Sequence, residues 1–411
     1  MERLGPVDRV AVGVSGGADS MALLHLLCAW NTSAAQKLEL TAVTVDHGLR
    51  AQSRQEAEAV AAWAKHLGVA HKILVWTGSK PVSNIEAIAR EARYRLMGQW
   101  CRSADIKILM TAHHMDDQAE TFLMRLARGS GVSGLAAMAP ERPLGPEFPG
   151  LSLQRPLLGI PKDDLIALLR EIDQPWFEDP SNDSEEFMRS RLRGMREVFG
   201  ALGLGPDRLV STAQRMAEAS VVLEKVAQEL WHEAVQATPY GEIRLNREKV
   251  LAAQADTRRR VLARALKGVS GSPFAPRYER LLRLEDAIAS GEIGNGVTLH
   301  GCKVRRQEGV LSIIREVGRA EAAALPAAGP GLWDGRFQIE WTERVEGAQI
   351  RALGEEGLLR LRADGRAGPK GTPGRDILLT LPAAWLGSEL LGTALPGDET
   401  GLFKARFMLF T

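Results

Sequence analysis

The run Val10-Ala11-Val12-Gly13-Val14-Ser15-Gly16-Gly17-Ala18-Asp19-Ser20-Met21-Ala22-Leu23-Leu24 constrains this chain more than any other segment. A β-branched apolar stretch, suited to a buried strand, ends in a Ser-Gly-Gly turn and opens directly into a helical pattern. That junction gathers unpaired backbone N–H groups and the positive end of a helix dipole at one point, where an anion can sit. Gly16 and Gly17 allow backbone conformations closed to other residues and let a phosphate approach closely. Ser15 and Ser20 add hydroxyl donors beside Ala18, and Asp19 can hold a Mg²⁺ that bridges phosphate oxygens. The run lacks the lysine that ends the Gly-x-x-x-x-Gly-Lys-Ser/Thr loop, and it is not the Gly-x-Gly-x-x-Gly dinucleotide fingerprint. An ordinary glycine-rich strand–turn–helix corner is the bland alternative for this segment taken alone.

From residue 9 to about 128 strand and helix patterns alternate, which implies a parallel sheet covered by helices on both faces. Strands are expected at Arg9–Val14, Leu38–Val45, His71–Trp76 and Ile106–Thr111. Helices are expected at Ala18–Trp30, Ser53–Leu67, Asn84–Arg102 and Asp116–Arg128. Ligands of such sheets bind at the carboxyl ends of the strands. Ser15–Ser20, Asp46-His47 and His113–Glu120 all fall just past such ends, so three separate segments converge on one crevice.

The Pro/Gly-rich stretch Ala139–Pro156 reads as a long loop, and Pro161 starts another helix. Past Gly205-Pro206 the character changes. Helical spacing runs from Asp207 to about Ala237 and over Arg258–Ala289, with a short strand at Gly241–Leu245 and a strand pair at Val297–Leu299 and Val310–Ile314. A linker at Gly318–Gly331 leads into a tail with strand-like pieces at Phe337–Trp341, Leu358–Leu361, Ile377–Leu381 and Phe407–Phe410. Three parts are therefore expected: 1–205, a mainly helical 206–317, and a small β-rich 332–411. The length of 411 residues suits such a division.

A formal charge of +1 gives no global basic excess, so any nucleic-acid surface must be local. The three cysteines, Cys28, Cys101 and Cys302, form no Cys-x-x-Cys pair, which argues against a disulfide scaffold, a zinc ribbon or an iron–sulfur site. No apolar signal core follows Met1 and no stretch approaches a membrane span, so a soluble cytoplasmic protein is expected.

Asp116, Asp117 and Glu120 crowd one face near a helix N-terminus, a cluster suited to Mg²⁺ or to an ammonium group. Plain helix capping is the competing account. His113 is placed to contact a phosphate or shuttle a proton. Asp46 and His47 fit an adenosine or substrate contact, or a bare turn. Glu86, Arg90 and Arg93 lie on one helix, where Arg93 can reach a phosphate or merely form a surface ion pair. Asp179-Pro180-Ser181-Asn182 leads into a basic segment containing Arg189, Arg191, Arg193 and Arg196. Some of these arginines can point inward to the crevice and others outward to a polyanion.

Together these segments resemble the tRNA(Ile)-lysidine synthetase family of ATP pyrophosphatases. The matching residues are Ser15–Ser20, Val45–Arg50, Ala112–Leu135, Arg155–Leu158 and Asp179–Arg193, with Gly301–Arg306 resembling the end of the family's middle domain. Ser190 stands where members often carry Asn. The resemblance implies an adenine nucleotide α-hydrolase-like α/β fold and a two-step ligation. The wobble cytidine of a tRNA(Ile) with a CAU anticodon is adenylated with loss of pyrophosphate, and L-lysine then displaces AMP to give lysidine. It further implies ATP held by Ser15, Gly16, Gly17, Ala18, Asp19, Ser20, Asp46 and His47, with Mg²⁺ on Asp19. Asp117 and Glu120 would take the lysine amine, His113 and Arg93 a phosphate or the adenylated intermediate. Arg189, Arg191, Arg193 and Arg196 would hold tRNA, no membrane is involved, and a homodimer stays open. The alternatives are a tRNA thiolase on the same loop, which usually needs a catalytic cysteine, and a non-catalytic binding module, which has no need of the carboxylates.

Overall fold

The computed structural model describes residues 8–34, 37–49, 52–77, 85–145, 147–178, 188–294, 296–320, 322–327, 329–366, 373–395 and 401–408, without the side chains of 85–87 and 188–190. The chain divides into two compact units, 1–220 and 221–411. Among the described residues no helix is long and apolar enough to cross a membrane.

The first unit runs β1 (Arg9–Gly13), α1 (Ala18–Ser33), β2 (Glu39–Asp46), α2 (Ser53–His66), β3 (Ala70–Val75), α3 (Ile85–Ser103), β4 (Ile108–Met110), α4 (Met115–Ala127), α5 (Val132–Leu135), β5 (Glu141–Pro143), β6 (Ser152–Gln154), α6 (Lys162–Glu171), α7 (Met188–Gly194) and α8 (Arg196–Ala201). Its sheet has the order β3-β2-β1-β4-β6-β5. All pairings are parallel except that of β5 with β6. Because successive strand residues face opposite ways, Val10 and Val12 enter a core with Met21, Leu24, Leu165 and Leu169, whereas Ala11 joins Val43, Met97, Leu109 and Phe148 on the other face. Each such fully buried aliphatic side chain contributes about 1.5–3 kcal/mol over its exposed state. With both faces covered, only the sheet's ends remain open to a ligand.

The stretch Ala139–Pro156 is not the long loop expected from its prolines and glycines. Ser152–Gln154 joins the central sheet as β6, with Ile108 opposite Ser152 and Met110 opposite Gln154. Leu144, Phe148, Leu151 and Leu153 anchor the segment in the core. Glycine and proline here punctuate the β5–β6 connection, residues 144–151. The backbone N–H of Thr111 donates to the Gln154 carbonyl at 3.0 Å, so the next residue, Arg155, emerges beside the end of β4.

Helix α9 (Pro206–Ala234) contains the division between the units. The second unit continues with β7 (Val235–Ala237), β8 (Ile243–Asn246), α10 (Arg247–Ala252), α11 (Ala255–Ser270), α12 (Tyr278–Ser290), β9 (Val297–Leu299), β10 (Cys302–Gln307) and β11 (Val310–Arg315). These strands form one antiparallel sheet, β7-β8-β11-β10-β9. Val297–Leu299 and Val310–Ile314 are therefore not partners, because β10 lies between them. Its charged alternation Lys303, Arg305, Arg306 concealed a strand whose other face buries Cys302 and Val304.

The rest comprises α13 (Val317–Ala320), β12 (Leu325–Pro326), β13 (Gly331–Trp333), β14 (Phe337–Trp341), β15 (Gln349–Ala352), α14 (Gly354–Ala363), α15 (Arg375–Leu378), β16 (Pro382–Leu386), β17 (Glu389–Thr393) and β18 (Phe403–Phe407). The expected linker Gly318–Gly331 thus contains most of α13, all of β12 and the start of β13, with Ala320 fully buried. Leu358–Leu361 and Ile377–Leu381, expected as strands, contribute to α14 and α15. In α14 Leu358 and Leu361 are buried while Leu359 is 63% exposed, a helical period rather than a twofold one. The last strand is Phe403–Phe407, and residues 409–411 lie outside the described residues.

A compact polar knot ties this second unit together. Arg315 donates to both carboxylate oxygens of Asp334, at 2.6 and 3.0 Å, and Arg336 Nε donates to the same carboxylate at 2.6 Å. Arg336 is fully buried and also donates to the Thr380 carbonyl. Beside it the backbones of Gly271 and Gly335 touch. A Cβ on Gly335 would lie 2.4 Å from the Gly271 carbonyl oxygen, and one on Gly271 would lie 2.2 Å from that of Asp334.

Candidate active site

The glycine-rich turn sits between β1 and α1 as the sequence requires. Gly16 has φ +89, and a Cβ there would meet Val60 and Phe177, each at 2.9 Å. Phe177, whose backbone N–H donates to the Gly16 carbonyl at 2.9 Å, forms a floor under the loop together with Trp63. Ser20 Oγ donates to the Gly17 carbonyl at 2.9 Å and accepts from the Ser15 N–H at 3.1 Å. The two hydroxyls lie 3.2 Å apart. Ala18 and Asp19 open α1, so the loop presents its amides and the Asp19 carboxylate at one helix N-terminus.

Asp19 meets the acidic helix through a residue that sequence reasoning passed over. His114, 3% exposed, is the N-cap of α4 and sits among three carboxylates. Its Nε2 lies 3.5 Å from both Asp19 Oδ2 and Asp117 Oδ2, and its Nδ1 3.6 Å from Asp116 Oδ2. These are ion-pair separations rather than short hydrogen bonds. Burial alone would depress the imidazolium, but Asp116, Asp19 and Asp117 outweigh it and push its pKa up to about 10. In return His114 helps hold Asp116 at about 2, against burial and with the Lys162 amide and Arg196 assisting. Asp19 is also lowered, because His114, Lys162 and Arg193 overcome the opposing effect of burial. The sequence signal was present in the His113-His114 pair, since the residue before an acidic first turn is the one that caps it.

The three carboxylates of α4 divide their work. Asp117 Oδ2 accepts the His114 backbone N–H at 3.1 Å, a capping role. Asp116 Oδ2 accepts the Lys162 N–H at 3.0 Å, tying the start of α6 to that of α4. Glu120, 7% exposed, is paired with Arg193 on α7, whose Nε donates to Glu120 Oε1 at 2.6 Å. Arg196 reaches Asp163 at 3.1 Å and Asp116 at 3.5 Å. Arg193 and Arg196 therefore turn toward the acidic helix, and Arg191 is exposed. Residues 179–187 and the side chains of Arg189 and Ser190 lie outside the described residues, as does the side chain of Glu86.

A cavity of about 270 Å³ opens between these groups. His114, Asp116, Glu120, Lys162, Arg193 and Arg196 supply its charges, and Ala119, Leu123, Leu192, Phe199 and Leu209 its apolar wall. At the end of β2, Asp46 Oδ1 accepts from the Gly48 N–H and from Ser53 Oγ, and His47 Nδ1 accepts the Leu49 N–H. Both residues thus shape the turn that leads to α2. His113 contacts Thr111 Oγ1 through Nδ1 at 3.0 Å and Arg90 through Nε2 at 3.2 Å. Arg90 of α3 reaches His113, and Arg93 on the same helix is exposed.

For Mg²⁺ the fit rests on Asp19. Its Oδ1 is buried without a hydrogen-bond partner among the described residues, and no group of three or more metal-ligating side chains occurs among them. One protein carboxylate completed by phosphate oxygens and water is the usual Mg²⁺ arrangement in nucleotide sites.

A PP-loop domain model matches residues 5–199. A tRNA(Ile)-lysidine synthase of Ruegeria pomeroyi is 35% identical over 401 residues, covering 96% of this chain and 90% of that protein. One from a Bradyrhizobium strain is 39% identical over 312 residues, covering 74% of this chain and 86% of that protein. The same name is carried by a Wolbachia pipientis protein that is 34% identical, over 80% of this chain and 76% of that protein. With its loop, its acidic helix and a relative aligned over nearly its whole length, the chain belongs to the tRNA(Ile)-lysidine synthase family.

Proposed function

We propose that this chain is an ATP-dependent ligase that joins L-lysine to C2 of the wobble cytidine of a tRNA(Ile) with a CAU anticodon. The supporting observation is the junction of the phosphate loop with the acidic helix: His114 links Asp19 to Asp116 and Asp117, and Glu120 lies one turn further along beside a cavity.

In the first step the C2 oxygen of the cytidine attacks the α-phosphorus of ATP and pyrophosphate departs. The loop amides and the hydroxyls of Ser15 and Ser20 hold that leaving group, whose charge grows as the bond breaks. Mg²⁺ on Asp19 would add charge neutralisation on the phosphate oxygens. Asp46 and His47 would take the adenosine side, and His113 and Arg93 a phosphate or the adenylated cytidine.

In the second step the lysine ε-amine attacks C2, the C2–O bond breaks and AMP leaves. The amine must be neutral to attack, so a carboxylate has to take its proton. Glu120 is the better placed of the two expected residues, because it lines the cavity while Asp117 caps the helix. The cavity lies below the usual 300–1,000 Å³ of drug-sized pockets and suits a free amino acid. The apolar wall would take the methylene stem, and the cations near Glu120 the α-carboxylate. Arg189, Arg191 and the regions 206–317 and 332–411 would hold the tRNA, and the reaction would run in the cytoplasm.

Incubation with ATP, Mg²⁺, labelled lysine and unmodified tRNA should transfer label to tRNA(Ile) and release pyrophosphate. Equal transfer to a methionine tRNA with the same anticodon, or no transfer, overturns the proposal. Asp19→Ala should abolish pyrophosphate release and leave tRNA binding in a filter assay largely intact.

A further inference from the structure

Arg90, on α3 beside His113, and Arg155, just past the end of β6, meet no carboxylate among the described residues. Arg155 is 5% exposed, donates one guanidinium hydrogen bond to the Ala139 carbonyl, and leaves Nε without a partner among the described residues. Burial works against its ionisation, Tyr94 favours it, and Arg142 and Arg90 both oppose it. An arginine stays charged under such pressure, so the cost falls on the folded protein. Arg90 donates to Tyr94 Oη at 3.3 Å and approaches His113 at 3.2 Å, with its guanidinium 5.2 Å from the Tyr94 ring centre. Neither arginine forms an ion pair among the described residues, whereas Arg193 and Arg196 in the same unit both do. The Arg90 guanidinium beside His113 and the Arg155 guanidinium near Arg90 and Tyr94 call for a bound anion, and their planar donors match a phosphate.

Position decides which phosphate. The strand order places the glycine-rich loop after β1 and Asp46 after β2, on one side of β4. Arg155 follows β6 on the other side. ATP is expected over the β1–β2 half, which leaves the β4–β6 half to the second phosphate-bearing reactant.

We infer that Arg90, Tyr94 and Arg155 form a subsite for a backbone phosphate of the RNA strand next to the nucleotide being modified. The inference rests on the tRNA reading above.

The test is equilibrium filter binding of tRNA to the full chain over a range of salt concentrations, with KM for ATP measured alongside. Losing one phosphate contact reduces the slope of log Kd against log salt by roughly 0.7–0.9. Arg90→Gln and Arg155→Gln should each show that drop with a several-fold weaker Kd, while KM for ATP stays within about twofold and Arg155→Lys keeps the slope. A change in packing alone would not alter the slope. Arg90 is only partly buried, so Arg90→Gln carries the test if Arg155→Gln does not fold. Unchanged slopes in both Arg90→Gln and Arg155→Gln overturn the subsite, and a raised KM for ATP with unchanged tRNA binding overturns its assignment to RNA. If wild-type protein binds tRNA but transfers no lysine, the ligase reading fails while the slopes still decide the subsite.

Discussion

Arg193 Nε lies 2.6 Å from Glu120 Oε1, closing a cation onto a buried carboxylate of α4. A lysine ammonium entering the cavity has to compete with that guanidinium for the same oxygens. The pair thus occupies the position proposed for the incoming amine.

Replacing that carboxylate separates the two chemical steps. In Glu120→Gln, lysine transfer should fall about 10²-fold or more, the usual scale for losing a general base. Pyrophosphate release should stay within a few-fold of wild type. Parallel assays of labelled lysine and of pyrophosphate distinguish this from a general loss of activity, which contradicts the assigned role.

Gly16→Ala adds a Cβ where φ is +89 and where Val60 and Phe177 already stand 2.9 Å away. The backbone strain alone is about 1–2 kcal/mol, and the contacts add to it. Pyrophosphate release should be lost and thermal unfolding should begin at lower temperature. A variant with wild-type activity contradicts the loop geometry.

The thiols give a pH dependence. Burial pushes Cys101 and Cys302 up to about 12, and raises Cys28 to a lesser degree. A disulfide-exchange reagent at pH 8 should therefore modify only Cys28 in the native protein and all three thiols in denaturant. A thiol with a raised folded pKa stabilises fully below the unfolded value of 9.0. That stability is lost as pH climbs from there toward 12. Rapid native labelling of Cys302 would contradict the packing of β10.

Asp334→Ala leaves Arg315 and the fully buried Arg336 without their common carboxylate. Breaking a buried pair from one side typically costs about 3–5 kcal/mol. Calorimetry should show the loss in the second unit's unfolding, with nucleotide-dependent stabilisation of the first unit retained. An unchanged thermogram would show that the network contributes little.

The parallel sheet was legible because β1 and β2 are dense in valine and are punctuated by Ser15-Gly16-Gly17 and by Asp46-His47-Gly48. β6 was hidden because three residues between Pro143 and Pro156 carry too little period to outweigh the turn residues around them. Leu358–Leu361 misled because a short apolar run does not separate helix from strand without knowing that Leu359 is exposed. In the site, spacing showed Asp117 and Glu120 sharing a face but not that Asp117 caps its own helix. Phe177 lies too far along the chain from Gly16 for any local pattern to join them. Arg155 stood within a matched segment, yet only its burial and its unpartnered Nε among the described residues set it apart.

The contact between Gly271 and Gly335 carries a consequence for descent as well as for packing. Neither position can acquire a side chain unless the opposite backbone retreats, and that retreat would pull Asp334 away from Arg315 and Arg336. Each glycine is therefore required by the backbone opposite it, whichever residue stands there. A chimera that takes residues 221–317 from one relative and 332–411 from another will keep this contact only where each donor carries glycine in its half of it.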